Sequence, residues 1–243
     1  MKSVQETVGF SVRDTLIIFW LHSTLKQERY SVEIHEAFLE QFPGHSVRYE
    51  YVTRIARQLA DEGALSTRQE HKKIYYCCTP AGKEKLARYQ DLYYGRFNEI
   101  VLVLDRLYYS LTKNGDKPDA PDHPLPAEFR QYFSKLVSVQ DVIRYVALKL
   151  SMTRSSFYMA EVSKQLDDLF GWSPSSAYLY KVAREMEESD LLYGFWPDDR
   201  RSVRYMKQTE AGAAFYPTIA RSLEERVRNV RHYLTDILKF IQD

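Results

Sequence analysis

Residues 74–86 read IYYCCTPAGKEKL, and residues 204–216 read RYMKQTEAGAAFY. Each stretch begins with a tyrosine-bearing run suited to a strand, passes through Thr-x-Ala-Gly, and continues into a run suited to a helix. Thr79 is placed to cap a helix whose first residue is Pro80, where a missing N–H costs nothing. Thr209 is placed to do the same before Glu210, whose carboxylate suits a helix N-terminus. The small Ala and Gly of the first turn let each helix start close against the strand. The same corner occurring twice in one chain predicts an internal repeat.

The rest of the sequence can be matched outward from that corner. When Val12 and Asp14 are laid on Val139 and Asp141, Tyr51, Ile55, Ala56, Leu59 and Leu65 fall on Tyr178, Val182, Ala183, Met186 and Leu192. A slip of one position brings Tyr30, Glu33, Ile34, Phe38 and Phe42 onto Tyr158, Glu161, Val162, Leu166 and Phe170. Beyond the corner, Tyr93, Phe97, Ile100, Leu104, Leu107 and Leu111 match Leu223, Val227, Val230, Leu234, Ile237 and Ile241. Between the copies lies TKNGDKPDAPDHPLPAEF, whose Pro118, Pro121, Pro124 and Pro126 favour an extended, rather stiff path. The expected organisation is a first domain over 1–112, a Pro-rich linker over 113–135 and a second domain over 136–243.

Within the first copy, Val12, Leu16, Phe19 and Trp20 have the spacing of a core helix. Ser31 is the expected cap of a second helix that buries Ile34, Ala37, Phe38 and Phe42 and stops at Pro43-Gly44. A third helix turns Val52, Ile55, Ala56 and Leu59 inward and ends at Gly63. The runs 64–66 and 73–78 then make a β-hairpin with a charged tip. Three helices and a hairpin form a winged helix, a variant of helix-turn-helix. The fold class is mainly α with small hairpin wings: tandem winged helices, each followed by a long helix. Along each long helix the apolar positions alternate in steps of four and three, a seam that packs on another helix. At 1.5 Å per residue, a helix of about 30 residues outruns one small domain. The matching helix of the other copy is the expected partner, giving an intramolecular pseudo-dimer.

Composition narrows the function classes. The net charge of +1 supplies no strong global field, so any basic surface must be local. No apolar run reaches the roughly 18 residues of a membrane span, and the N-terminus lacks a signal-peptide core, so a cytoplasmic protein is expected. Cys77 and Cys78, the only cysteines, are adjacent in a strand and read as reduced thiols. The six histidines lack ligand spacing, so no metal is expected. There is no Gly-rich phosphate loop and no nucleophile or zinc motif, and enzyme is the least favoured class.

At this point the residues resemble the PadR family of bacterial transcriptional regulators. Its third-helix pattern of Ser-Pro-Gly-Thr-Leu-Tyr, Leu-rich turns and Glu-Glu-Gly-Leu is similar to Ser175, Leu179, Tyr180, Met186 and Leu192 in the second copy. In the first copy it is similar to Val52, Leu59, Glu62, Gly63 and Leu65, with Thr53 where the family has tyrosine. Its Tyr-Tyr-x-Leu-Thr-x-x-Gly resembles residues 75–82 and, more loosely, 205–212. The family has a winged helix and a long dimerising helix, with one such unit per chain. The resemblance therefore implies a covalent pseudo-dimer, either standing alone or pairing again, that binds double-stranded DNA. It also implies a flat aromatic effector. The clustered Tyr89, Tyr93, Tyr94, Phe97, Tyr108, Tyr109, Tyr132 and Phe133 bear on that effector, although a stripe at helical spacing is read first as packing.

The outward face of the first third helix carries Glu50, Arg54, Arg57 and Asp61, and the second copy puts Lys181 and Arg184 at the positions of the two arginines. Two such cations reach phosphates or a guanine edge in the major groove. Arg48 and Tyr49 stand at the helix start, where bases are met, as does Tyr178 in the second copy. The wing cations are Arg68, His71, Lys72 and Lys73 in one copy and Arg200, Arg201 and Arg204 in the other. The favoured reading is a DNA-binding regulator, a repressor, reading two half-sites. One rival is a winged-helix pair that has lost DNA binding and acts as a protein-interaction or ligand-sensing module. The other is a plasmid-type replication initiator, whose tandem winged helices lack the matched long helices.

Overall fold

The computed structural model describes residues 10–197 and 203–242. Among the described residues the chain is mainly helical, with short antiparallel hairpins. It divides into two compact units. The first is made of the described residues up to Asn98 together with those from His232 onward, and the second is Glu99–Arg231.

The first unit contains α1 (Val12–Ser23), β1 (Arg29–Tyr30), α2 (Ser31–Gln41), α3 (Tyr49–Asp61), β2 (Leu65–Glu70) and β3 (Lys73–Cys78). Ser11 starts α1 through a reciprocal cap. The Asp14 N–H donates to Ser11 Oγ at 3.3 Å, and Asp14 Oδ2 accepts from the Ser11 N–H at 2.8 Å. Every residue from Thr15 to Leu21 is buried, so α1 is the central post of this body. Trp20 is wholly buried and satisfies its indole N–H on the Val52 carbonyl at 3.1 Å, joining α1 to α3. The strands order β1-β3-β2, with Tyr30 opposite Tyr75 and Thr67 opposite Tyr76. Three helices against this sheet are a winged helix.

Helix α2 begins one residue earlier than its expected cap requires. Ser31 is the first helical residue and Tyr30 holds the cap position, its N–H donating to Glu33 Oε2 at 3.2 Å. Tyr158 and Glu161 do the same in the second unit, at 3.1 Å. A carboxylate three residues into the helix thus replaces the hydroxyl that Ser31 offers.

The second unit repeats this order with α6 (Val139–Thr153), α7 (Met159–Phe170), α8 (Ser176–Glu188), β4 (Leu192–Phe195) and β5 (Tyr205–Gln208). An isolated bridge between Phe157 and Met206 stands where β1 stands in the first body. In addition, α5 (Ala127–Leu136) occupies the end of the stretch expected to be linker. Its Tyr132, Phe133 and Leu136 are buried, and their helical spacing is what overrides the prolines before them.

The two Thr-x-Ala-Gly corners have one physical basis. Thr79 Oγ1 donates to the Gly63 carbonyl at 2.7 Å and accepts from the Gly82 N–H at 3.1 Å. Thr209 Oγ1 donates to the Asp190 carbonyl at 2.5 Å and accepts from the Gly212 N–H at 2.9 Å. Each threonine therefore caps a long helix and ties it to the exit of the preceding third helix. A Cβ on Gly82 would collide with the Ala64 carbonyl oxygen, and one on Gly212 with that of Leu191. Glycine is required there because backbone occupies the space of a side chain.

Those corners open α4 (Pro80–Thr112) and α9 (Glu210–Gln242), of 33 residues each and so roughly 50 Å long. Helix α4 starts in the first unit and ends in the second, and α9 starts in the second and ends in the first. In the first unit the tail of α9 packs on the winged-helix body. The Phe240 ring lies 5.5 Å from Phe19 and 6.1 Å from Phe42, and the Tyr233 hydroxyl is 2.8 Å from Thr15 Oγ1. Buried Asp236 accepts from Gln41 at 2.8 Å and pairs with His232 and Lys239. In the second unit the tail of α4 is held by α6, where Tyr145 Oη and Lys149 Nζ both donate to the Ser110 carbonyl at 3.0 Å.

Candidate nucleic-acid interface

Helix α3 turns Val52, Ile55, Ala56 and Leu59 into the core, which leaves Arg48, Tyr49, Glu50, Arg54 and Arg57 exposed on the other side. The Arg54 guanidinium lies over the Tyr51 ring at 4.8 Å. Arg57 reaches the hydroxyl of buried Tyr76 and partly offsets the rise that burial imposes on that phenol's pKa. Both arginines are thus steered by aromatic neighbours while their charge stays in solvent. Helix α8 buries Leu179, Val182, Ala183 and Met186, and Lys181 and Arg184 are exposed opposite them. Ser175 caps α8, accepting from the Tyr178 N–H at 3.3 Å, and Tyr178 itself is half-buried. Lys181 Nζ stands 3.9 Å from a Glu185 carboxylate oxygen.

The wings differ more than the helices. In the first, His71 makes the turn between β2 and β3 in a left-handed conformation with φ of 53°. His71, Lys72 and Lys73 are exposed, with Lys73 Nζ 4.2 Å from the centre of the Tyr30 ring. Arg68 is exposed but committed, donating to Glu28 and to Glu70 at 2.7 Å. Its guanidinium holds the Glu28 carboxyl below the usual carboxylate range. In the second wing, Arg204 is half-buried at the base, bound to Glu187 at 2.6 Å and laid over the Trp196 ring at 4.7 Å. Expected as a wing cation, it is a base-of-sheet ion pair, because Gly194 leaves the space that the Glu187–Arg204 pair fills. Arg200 and Arg201 lie outside the described residues. One face of the β4–β5 pair is aromatic, with Tyr193 and Phe195 stacked at 6.3 Å and Tyr205 6.1 Å from Phe195.

The turns before the two third helices also differ. Nothing lies within 4 Å of where a Cβ on Gly44 would be. Gly171 is left-handed, with φ of 69°, and the backbone of His123 and Pro124 passes directly over it. The Leu125 N–H donates to the Phe170 carbonyl at 3.4 Å, so the proline segment is laid on the second helix-turn-helix.

Of the long-helix seam, Phe97, Ile100, Leu104, Leu107, Leu223, Val227, Leu234, Ile237 and Ile241 are buried, whereas Tyr93, Leu111 and Val230 are half-buried. A cleft of about 490 Å³ in the first unit is lined by Phe19, His22, Lys26, Arg29, Gln41 and Phe240, among others. Among the described residues no group of His, Cys, Asp and Glu has metal-binding geometry, and no helix is long and apolar enough to cross a membrane.

Ala177, to which the sequence pattern gave no role, and Tyr180, marked there only as a match to the family pattern, are exposed on α8. The signal for them was their register with Thr53 and Glu50.

No protein-family model matches the chain, and no curated protein is similar to it. A crystal structure of Bacillus subtilis PadR in complex with operator DNA is similar at 20% identity, over 93% of this chain and 97% of that one, with a TM-score of 0.29. A likeness of that size leaves the function to be argued from the residues of this chain.

Proposed function

We propose that the chain is a DNA-binding transcription regulator, a repressor acting in the bacterial cytoplasm, built as a covalent pseudo-dimer that meets two half-sites with α3 and α8. The observation that carries this reading is the paired, solvent-facing cations at matching positions, Arg54 with Arg57 and Lys181 with Arg184, each pair on a helix whose opposite face is core. A winged helix offers this helix to the major groove, and cations three residues apart on it reach phosphates or a guanine edge. The exchange of long-helix tails supports the pseudo-dimer, since each body is completed by the helix that begins on the other.

The test is binding of the full chain to a random pool of duplex DNA, followed as a function of salt. Affinity is expected to fall steeply with salt. Arg54→Ala with Arg57→Ala is expected to reduce the log–log slope by about 1–2, one unit per lost phosphate contact. Absence of duplex binding even at low salt would sink the reading. It would favour the second one, an interaction module without DNA, for which the neutralisation of Arg68 by Glu28 and Glu70 is the supporting observation.

A further inference from the structure

We propose that the DNA recognised by this chain is a duplex of two chemically unequal half-sites, with guanine contacts specified by α3 and thymine methyls by α8. The inference rests on the DNA-binding reading above and gives that reading a substrate. When two identical chains pair, both half-sites are read by the same side chains. Here the two third helices are separate stretches of one chain, free to differ, and they do.

At matched positions α3 offers Glu50, Thr53 and Arg54 where α8 offers Ala177, Tyr180 and Lys181. Arg54 is a planar fork, held over the Tyr51 ring at 4.8 Å, and a fork fits the O6 and N7 of guanine together. Glu50, exposed one turn before it, accepts only, which matches the N4 amino group of cytosine. On α8 the fork is replaced by an ammonium 3.9 Å from Glu185, a point charge suited to phosphate rather than to a base edge. The exposed surface beside it is Ala177 and Tyr180, the latter 46% exposed, which can meet a thymine methyl but present no bidentate pair. Arg57 and Arg184, by contrast, keep the same chemistry in both helices.

The experiment is selection of the full chain on random duplex DNA, then binding to three synthetic duplexes at one salt concentration. One is the selected site, and the others carry either its first half or its second half twice, inverted. The expected result is a motif without dyad symmetry, guanine-rich on one side and thymine-rich on the other, bound about tenfold or more tightly than either symmetrised duplex. A helix-transfer variant, Ala177→Glu with Tyr180→Thr and Lys181→Arg, changes only exposed side chains. It should move the preference to the duplex with the guanine half twice, with its melting temperature confirming the fold. A recovered motif that is a perfect inverted repeat, or equal binding to a symmetrised duplex, would overturn the proposal and leave the DNA-binding reading standing. No enrichment of any duplex would overturn both.

Discussion

The first winged-helix body and the second share their skeleton and differ in their skin. Both tie the exit of the third helix to the start of the long helix through a threonine hydroxyl, and both leave that corner no room for a Cβ. The wings, the turns before the third helices and the outward third-helix residues have diverged. The first wing is charged and paired over six residues, while the described strands of the second pair over four and carry stacked aromatic rings. The first turn is open, and the second lies under the proline segment. What persists between the copies is therefore what backbone packing dictates, and what changes lies outside those packed corners.

The largest effects should come where the copies agree. Gly82→Ala and Gly212→Ala each force a backbone carbonyl aside and are expected to cost about 2–3 kcal/mol in denaturant unfolding, with similar values for the two corners. Tolerance of either would break the claim that the corners are packed alike.

Phe240→Ala, at the tail of α9, should cost somewhat less, about 2 kcal/mol, because that ring is only half-buried.

A pH effect separates the units. His45 sits among Phe38, Phe42 and Tyr233, and burial pushes its imidazole pKa below the ordinary 6.5. The unfolded chain therefore takes up this proton at a higher pH than the folded one. The stability contributed is full above about pH 6.5 and is lost as pH falls from there toward the lowered value. Melting temperature should drop between pH 7 and pH 5, and His45→Gln should flatten that drop. An unchanged pH profile in the variant would remove the contribution.

The smallest effect concerns the left-handed residue after each third helix, Gly63 with φ of 74° and Asp190 with φ of 54°. Asp190→Gly should stabilise the second unit by up to about 1 kcal/mol, and Gly63→Asp should cost the first a similar amount, read as opposite shifts in the denaturation midpoint.

Much of this skeleton was legible from periodicity. Helix α3 with Val52, Ile55, Ala56 and Leu59 inward, a hairpin of the runs 64–66 and 73–78 and the corner at Thr79 follow from local pattern and cap chemistry, although β2 continues to Glu70. Helix α5 was legible too, in the spacing of Tyr132, Phe133 and Leu136, but the prolines before it drew the reading toward linker. Three things required tertiary structure. The partner of Arg204 depends on the space that Gly194 leaves on the same sheet. The commitment of Arg68 to Glu28 depends on β1 joining β3, which brings distant residues together. The units that the two helix tails complete cannot be read from the seam, because its steps of four and three are the same in both long helices.

That exchange of tails is the central structural claim, and hydrogen–deuterium exchange on Phe240→Ala tests it most directly. Phe240 stands near the C-terminus of the chain, yet its ring rests on Phe19 and Phe42. The account predicts faster exchange in peptides of α1 and α2, more than 190 residues earlier in sequence, with α6 and α7 unchanged. Faster exchange in α6 and α7, with α1 and α2 still protected, would contradict it.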